Sequence, residues 1–178
     1  MEIQSTFVIK YDEPSYSIST TEFMLQNFQK FGNNLALIDS ESGKQWKYSE
    51  IESWVAGTVD NLKSDGGFMA GQKIGVAALN CPEVIVLQLA CGILGTPCTL
   101  LNGTVTVDEL WHQVDLSEVS IIVSESGFVS KLEEVKKKAQ SRGGGKLRTI
   151  ALLDLIVREP QEGAKLNLVK QHKKDRGP

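Results

Sequence analysis

Cysteine and histidine are the side chains best suited to nucleophilic, acid–base or metal chemistry. This 178-residue chain holds few of them: Cys81, Cys91, Cys98, His112 and His172. No two cysteines stand at the short spacing, roughly two to four residues, that a metal clip uses. The odd count and wide spacing point to free thiols in a core. Cys81 sits beside a helix-start sequence, where the macrodipole favours a thiolate, yet no histidine lies close in sequence to act as its base. His112 falls beside Trp111 in a short helical stretch and reads as a packing or surface residue.

Two glycine clusters invite a phosphate-loop reading, and both fail on spacing. Gly143-Gly144-Gly145-Lys146 lacks the earlier glycine and the following hydroxyl residue that the pattern needs, since Gln140 and Leu147 occupy those places. It reads as a linker. In GGFMAGQK, residues 66 to 73, Gln72 stands where the lysine should be, so a loop into a strand is expected. Glu83 and Glu109 fall at helix starts and offset the dipole there. The run Glu133-Glu134-Val135-Lys136-Lys137-Lys138 reads as a solvated helix face with a Glu134–Lys138 pair. Asn102-Gly103-Thr104 matches a glycosylation acceptor, a pattern that is read only after export. No catalytic, cofactor-binding or metal residue is assigned.

The elements that would position these residues show in the alternation of periods. Ser19–Glu22 is a capping box that opens a helix over about 20–31, with Phe23, Phe28 and Phe31 in it. Leu35–Asp39 and Gln45–Tyr48 flank the turn Glu41-Ser42-Gly43-Lys44 as a hairpin. Ser49–Glu52 is a second capping box, for a helix ending near Lys63. Ile74–Leu79 is an apolar run without alternation, as a strand covered on both faces requires. Asn80 is placed to cap the next helix and Pro82 suits its first turn; residues 82–94 are apolar nearly all round, so that helix needs neighbours on more than one side.

A strand over Thr96–Leu101, the capping box Thr106–Glu109 and a short helix burying Leu110, Trp111 and Val114 follow. Val119–Val123 is β-branched, Val129, Leu132 and Val135 stripe another helix, and Thr149–Leu153 is a last strand. Repeated strand–helix units predict an α/β fold, a largely parallel sheet with helices on both faces, with 74–79 central. From about Val157 onward the polar, Lys- and Glu-rich sequence predicts a loosely attached tail.

Composition bounds the function classes. With 41% hydrophobic and 23% charged residues, the chain has material for one core. A net charge of -3 gives no electrostatic footprint for nucleic acid. Neither a signal peptide nor a transmembrane segment is legible, and there is no C-terminal SKL-type signal, so an intracellular, cytoplasmic location is expected.

Four segments in order carry a resemblance: ALIDSESGKQWKYSEI, GQKIGVAALNCPEVIVLQLAC, GILGTPCTLLNGTVTVDELWHQ and VSIIVSES. The third is similar to a "G-A-x-x-x-P-L-N-P-x-x-T-x-x-E-L-x-H" unit, with Asn102, Thr106, Glu109, Leu110 and His112 in place. Together they resemble the opening of the adenylate-forming ligases, the acyl-CoA synthetase, 4-coumarate-CoA ligase and luciferase group. Gly103 stands where that family has a second proline, and Gln72 where it has aspartate.

The resemblance implies the N-terminal subdomain of that fold, with a division into 1–34 as an extension carrying a helix, 35–156 as a partial synthetase domain and 157–178 as a flexible tail. It implies ATP, Mg²⁺ and coenzyme A for the intact family, which adenylates a carboxylic acid and then forms a thioester. The family's Ser/Thr/Gly-rich phosphate loop would fall in EGAKLNLVKQHKKDRGP, which is poor in those residues. A truncated relative of an AMP-forming acid-CoA ligase, inactive alone, is therefore expected. Alternatives are a partner-binding fragment, associating with itself or another protein through exposed apolar surface, and a small nucleotide- or ligand-binding module.

Overall fold

The computed structural model describes residues 19–141 and 146–160. Helix α1 (Thr20–Phe31) begins where the Ser19 hydroxyl accepts the Glu22 N–H at 3.1 Å. The antiparallel hairpin of β1 (Leu35–Ile38) and β2 (Gln45–Lys47) turns through Gly43 at φ 71, a conformation that favours glycine. Helix α2 (Tyr48–Ser64) follows without a loop.

The main sheet contains β3 (Ile74–Ala77), β4 (Cys98–Leu100), β5 (Ile121–Ser124) and β6 (Thr149–Leu152), all parallel, in the order β4-β3-β5-β6. The strand at 74–77 is interior, as its unbroken apolar run requires. Strands are connected by α3 (Pro82–Ile93), α4 (Val107–Ser117) and α5 (Ser126–Ser141), and the short α6 (Leu153–Ile156) follows β6.

The strand order sends the first connection, α3, to one face and the next two, α4 and α5, to the other. Helices α1, α2 and α3 pack together and cover the face presenting Ile74, Val76, Ile121 and Val123. Helices α4 and α5 cover Ala77, Ile122 and Leu101 on the other. Gly75 makes room for that second core: a Cβ there would lie 2.7 Å from Leu101 Cδ1. Fully burying each large aliphatic residue contributes about 1.5–3 kcal/mol, so both layers hold the sheet. Helix α3 buries Val86, Leu87, Leu89, Ala90 and Cys91 against the sheet, α1 and α2, as its nearly all-round apolar surface predicts.

Several local expectations are corrected. The second helix starts at Tyr48, not after Ser49, because Asn34 O and Gly32 O accept the N–H groups of Tyr48 and Ser49 at 3.1 and 2.9 Å. Glu50 then takes the Lys47 N–H at 2.7 Å, and Ser49 and Glu52 are not the cap. The cap of α3 is Cys81, held extended at φ -143 and ψ 157 by the following Pro82, rather than Asn80. Lys138 pairs with Asp108 of α4 and lies 5.2 Å over the Trp111 ring, instead of pairing with Glu134.

The first residues of the expected tail, 157–160, pack on the body. Val157 is 3% exposed, Arg158 reaches Asp65 at 2.8 Å and Asn61 at 3.0 Å, and Pro160 lies against Gly57. The rest of that segment, with Gly143–Gly145, His172 and the expected phosphate-loop neighbourhood, lies outside the described residues. Among the described residues no helix is long and apolar enough to cross a membrane.

Candidate functional site

In an open parallel sheet the natural crevice lies beyond the carboxyl ends of the strands, where neighbouring connections leave to opposite faces. Here that point falls between β3 and β5, whose following segments lead to α3 on one face and α5 on the other. Glu125 closes it. Its Oε1 accepts the Leu79 N–H at 2.8 Å, and its own N–H donates to Ala77 O at 3.1 Å. Sequence reading did not single out Glu125; its place directly after a strand is a signal for the rim, whereas its partner in another loop has none.

Beside it, the loop from Leu101 to Thr106 is held from within and from below. Asn102 Oδ1 accepts the Thr104 N–H at 3.0 Å and its hydroxyl at 2.7 Å, a side-chain turn that occupies the glycosylation-like triplet. Gln113 Oε1 accepts the Asn102 N–H at 2.9 Å. The expected capping box is present, with Glu109 Oε2 taking the Thr106 N–H at 3.0 Å. The Thr106 hydroxyl, and then that N–H, hold the Glu109 carboxyl below its ordinary range. From α5, Lys131 Nζ donates to both Gly103 O and Val105 O at 2.7 Å. The Phe128 ring lies under Gly103, where an added Cβ would stand 2.7 Å from Cγ. That contact is a physical reason for glycine at this position, where the family pattern that the segment resembles has proline. Spacing contained no signal for Lys131 or Phe128.

Cys81 lies close to this rim. Burial above all, then the charge and hydrogen bond of Glu83 and the charge of Glu125, push its thiol up against the opposing Val84 N–H, which disfavours a nucleophile. His112 is exposed on α4. The 66–73 segment is a loop, with Gln72 Oε1 accepting the Met69 N–H at 2.7 Å.

Phosphate groups are held by convergent N–H donors and cations. At this rim the N–H groups of Leu79, Asn102, Thr104 and Thr106 already donate to side chains of the chain itself, and Lys131 is turned onto carbonyls. Among the described residues no group of three His, Cys, Asp or Glu could hold a metal ion. These residues therefore do not fit ATP phosphates or Mg²⁺ as a binding set.

The opposite end of the sheet holds an ion cluster. Glu118, at φ 56 after α4, receives Lys73 at 2.8 Å and Lys146 at 2.6 Å, joining the residues that lead into β3 and β6. Lys146 first, and Lys73 next, bring the Glu118 carboxyl down to about 2.

A doubly wound parallel layer with a hairpin and helix ahead of it defines the class of α/β protein, and comparison supplies the family. The model of the AMP-binding enzyme family matches residues 25–176, and the chain belongs to that family. It is 27% identical over 118 residues to 4-coumarate–CoA ligase 3 of Oryza sativa subsp. japonica, covering 66% of this chain and 21% of the relative. It is 36% identical over 62 residues to 2-succinylbenzoate–CoA ligase of Oceanobacillus iheyensis, covering 35% of this chain and 13% of that one. The luciferase-like enzyme of the nonluminescent mealworm Zophobas morio shares the fold, with a TM-score of 0.70, 18% identity, and coverage of 84% of this chain and 36% of the other. The chain is thus a relative of AMP-forming acid–CoA ligases that spans about a fifth of the length of the rice relative, 21%.

Proposed function

We propose that this chain forms the N-terminal scaffold layer of an AMP-forming acid–CoA ligase and does not perform the chemistry by itself. The family reaction joins a carboxylate to ATP as an acyl-adenylate, releasing pyrophosphate, and the sulfur of coenzyme A then displaces AMP. The observation that carries the reading is the state of the crevice. Glu125 spans it to the Leu79 N–H, and the neighbouring Asn102, Gln113, Glu109 and Lys131 side chains are bonded to backbone groups of the 101–106 loop. Such a rim organises loops. Groups that activate an acid or hold ATP would come from outside residues 19–160.

The same rim carries apolar surface: Leu79, Ile85 and Leu100 are 59%, 38% and 60% exposed. Strand β4 is also an edge. The occupant we assign to this edge is the remainder of a ligase fold, since the chain covers 36% of the luciferase-like structure. Unaccompanied, the chain should associate with itself through the same surface.

The test is acid-dependent exchange of pyrophosphate into ATP by the purified 178-residue chain, run across aliphatic and aromatic carboxylic acids with sedimentation of the same sample. The expected result is no exchange above a protein-free control, from an associating species. Acid-dependent exchange would overturn the scaffold reading, and a strictly monomeric sample would overturn the assignment of the apolar edge.

A further inference from the structure

Two of the three thiols are not isolated. Cys91 lies in the last turn of α3 and Cys98 opens β4, and the tight connection between them is closed by the Thr96 N–H donating to Cys91 O at 3.0 Å. In β4, Cys98 is the register partner of Ile74 and packs into the core layer beneath α3 to which Cys91 also belongs. Both side chains therefore enter the same helix–sheet layer, seven residues apart across one tight turn, and each thiol is the leading influence on the other. Cys98 is part-exposed and Cys91 is buried. Cys81, on the far end of α3, caps its first turn.

We propose that Cys91 and Cys98 form a reversible disulfide with a low-molecular-weight disulfide such as oxidised glutathione, stapling the end of α3 to β4. The Cys98 thiolate attacks one sulfur of the small disulfide, forming a mixed disulfide and expelling one glutathione thiolate. Cys91 then loses its proton and attacks Cys98 Sγ, breaking the mixed bond and expelling the second glutathione. Two protein thiols are oxidised, one small disulfide is reduced to two thiols, and the two protons pass to the departing thiolates.

The order of attack follows from the environment. The neighbouring Cys91 thiol brings the Cys98 thiol down, and Cys98 is the less buried of the two residues. Interaction with the Cys98 thiol leads the causes that raise the Cys91 thiol, burial follows, and the charge of Cys98 comes third. The two that depend on Cys98 vanish once it is a mixed disulfide, which frees Cys91 to resolve it.

The experiment equilibrates the folded 178-residue chain in glutathione buffers of increasing oxidation, quenches it with acid, and alkylates it under denaturing conditions. Cleavage after glutamate then separates Cys81 from the Val84–Glu109 peptide that holds both other cysteines. The expected result is that this peptide loses both alkylation sites together, becomes lighter by two hydrogens, and regains both sites with dithiothreitol. Cys91→Ala should instead accumulate a stable glutathione adduct at Cys98, with circular dichroism confirming the fold. A wild-type peptide that keeps its Cys91 label at the most oxidising buffer overturns the proposal, whether Cys98 is free, glutathionylated or paired with Cys81.

Discussion

The two ends of the parallel sheet use polar residues in opposite ways. At the carboxyl end, Glu125, Asn102, Gln113 and Lys131 each bond to backbone of a neighbouring turn, so polarity is consumed in shaping loops. At the amino end, Lys73 and Lys146 both donate to Glu118 through side chains that reach solvent. Loop-shaping bonds satisfy groups that have few alternative partners, whereas exposed ion pairs exchange readily with water and salt. The difference predicts that the carboxyl rim is intolerant of substitution, while the amino end responds mainly to pH and ionic strength.

The largest effect is expected at Gly103. Gly103→Pro would match the family pattern that the segment resembles, but its Cβ would stand 2.7–2.8 Å from three atoms of the Phe128 ring. Overpacking of this kind costs about 1–3 kcal/mol, read as a lowered urea midpoint. Phe128→Ala alone should also destabilise, yet Gly103→Pro added to it should cost much less than in the wild type. Additive effects in this double-mutant cycle would show that the ring is not what demands glycine.

Lys131→Met comes next. It retains most of the stem but strips the cation from Gly103 O and Val105 O, two acceptors on a partly buried loop. The expected loss is about 1–2 kcal/mol, with faster amide exchange around residues 102–106. Unchanged exchange in that loop would mean that Asn102 and Phe128 shape it without the lysine.

These rim contacts also mark where sequence reading stops. The parallel sheet was legible because strands covered on both faces must be continuously apolar, as 74–77 and 121–123 are. The Thr106–Glu109 box was legible because both halves lie within one turn. Ser49–Glu52 has the same pattern, but carbonyls from the α1–β1 connection satisfy the helix start first, a tertiary fact absent from local spacing. Likewise, Glu125 to Leu79, Lys131 to Gly103 and Lys138 to Asp108 link residues 46, 28 and 30 positions apart. No short pattern encodes such pairs. The crevice could be placed from fold class, but its closure by Glu125 could not.

The smallest effect, and the one that separates the two ends most cleanly, is expected at Glu118. Its carboxyl stands at about 2 in the folded chain against an ordinary value of 4.5, chiefly through Lys146 and then Lys73. A depressed folded value means that the unfolded chain binds the proton first as pH falls. The contribution is therefore complete above the unfolded value and is lost progressively as pH drops from there toward about 2. Glu118→Gln should remove part of the acid-side slope of stability and leave the response to Gly103→Pro unchanged. Because the pair atoms are solvent-accessible, raising the salt should shrink the wild-type excess over Glu118→Gln at neutral pH. Urea unfolding of both chains between neutral and acid pH, at low and high salt, reads all of this. Parallel pH profiles would mean that the cluster exists without contributing to stability, and the contrast between the two ends would rest on the carboxyl rim alone.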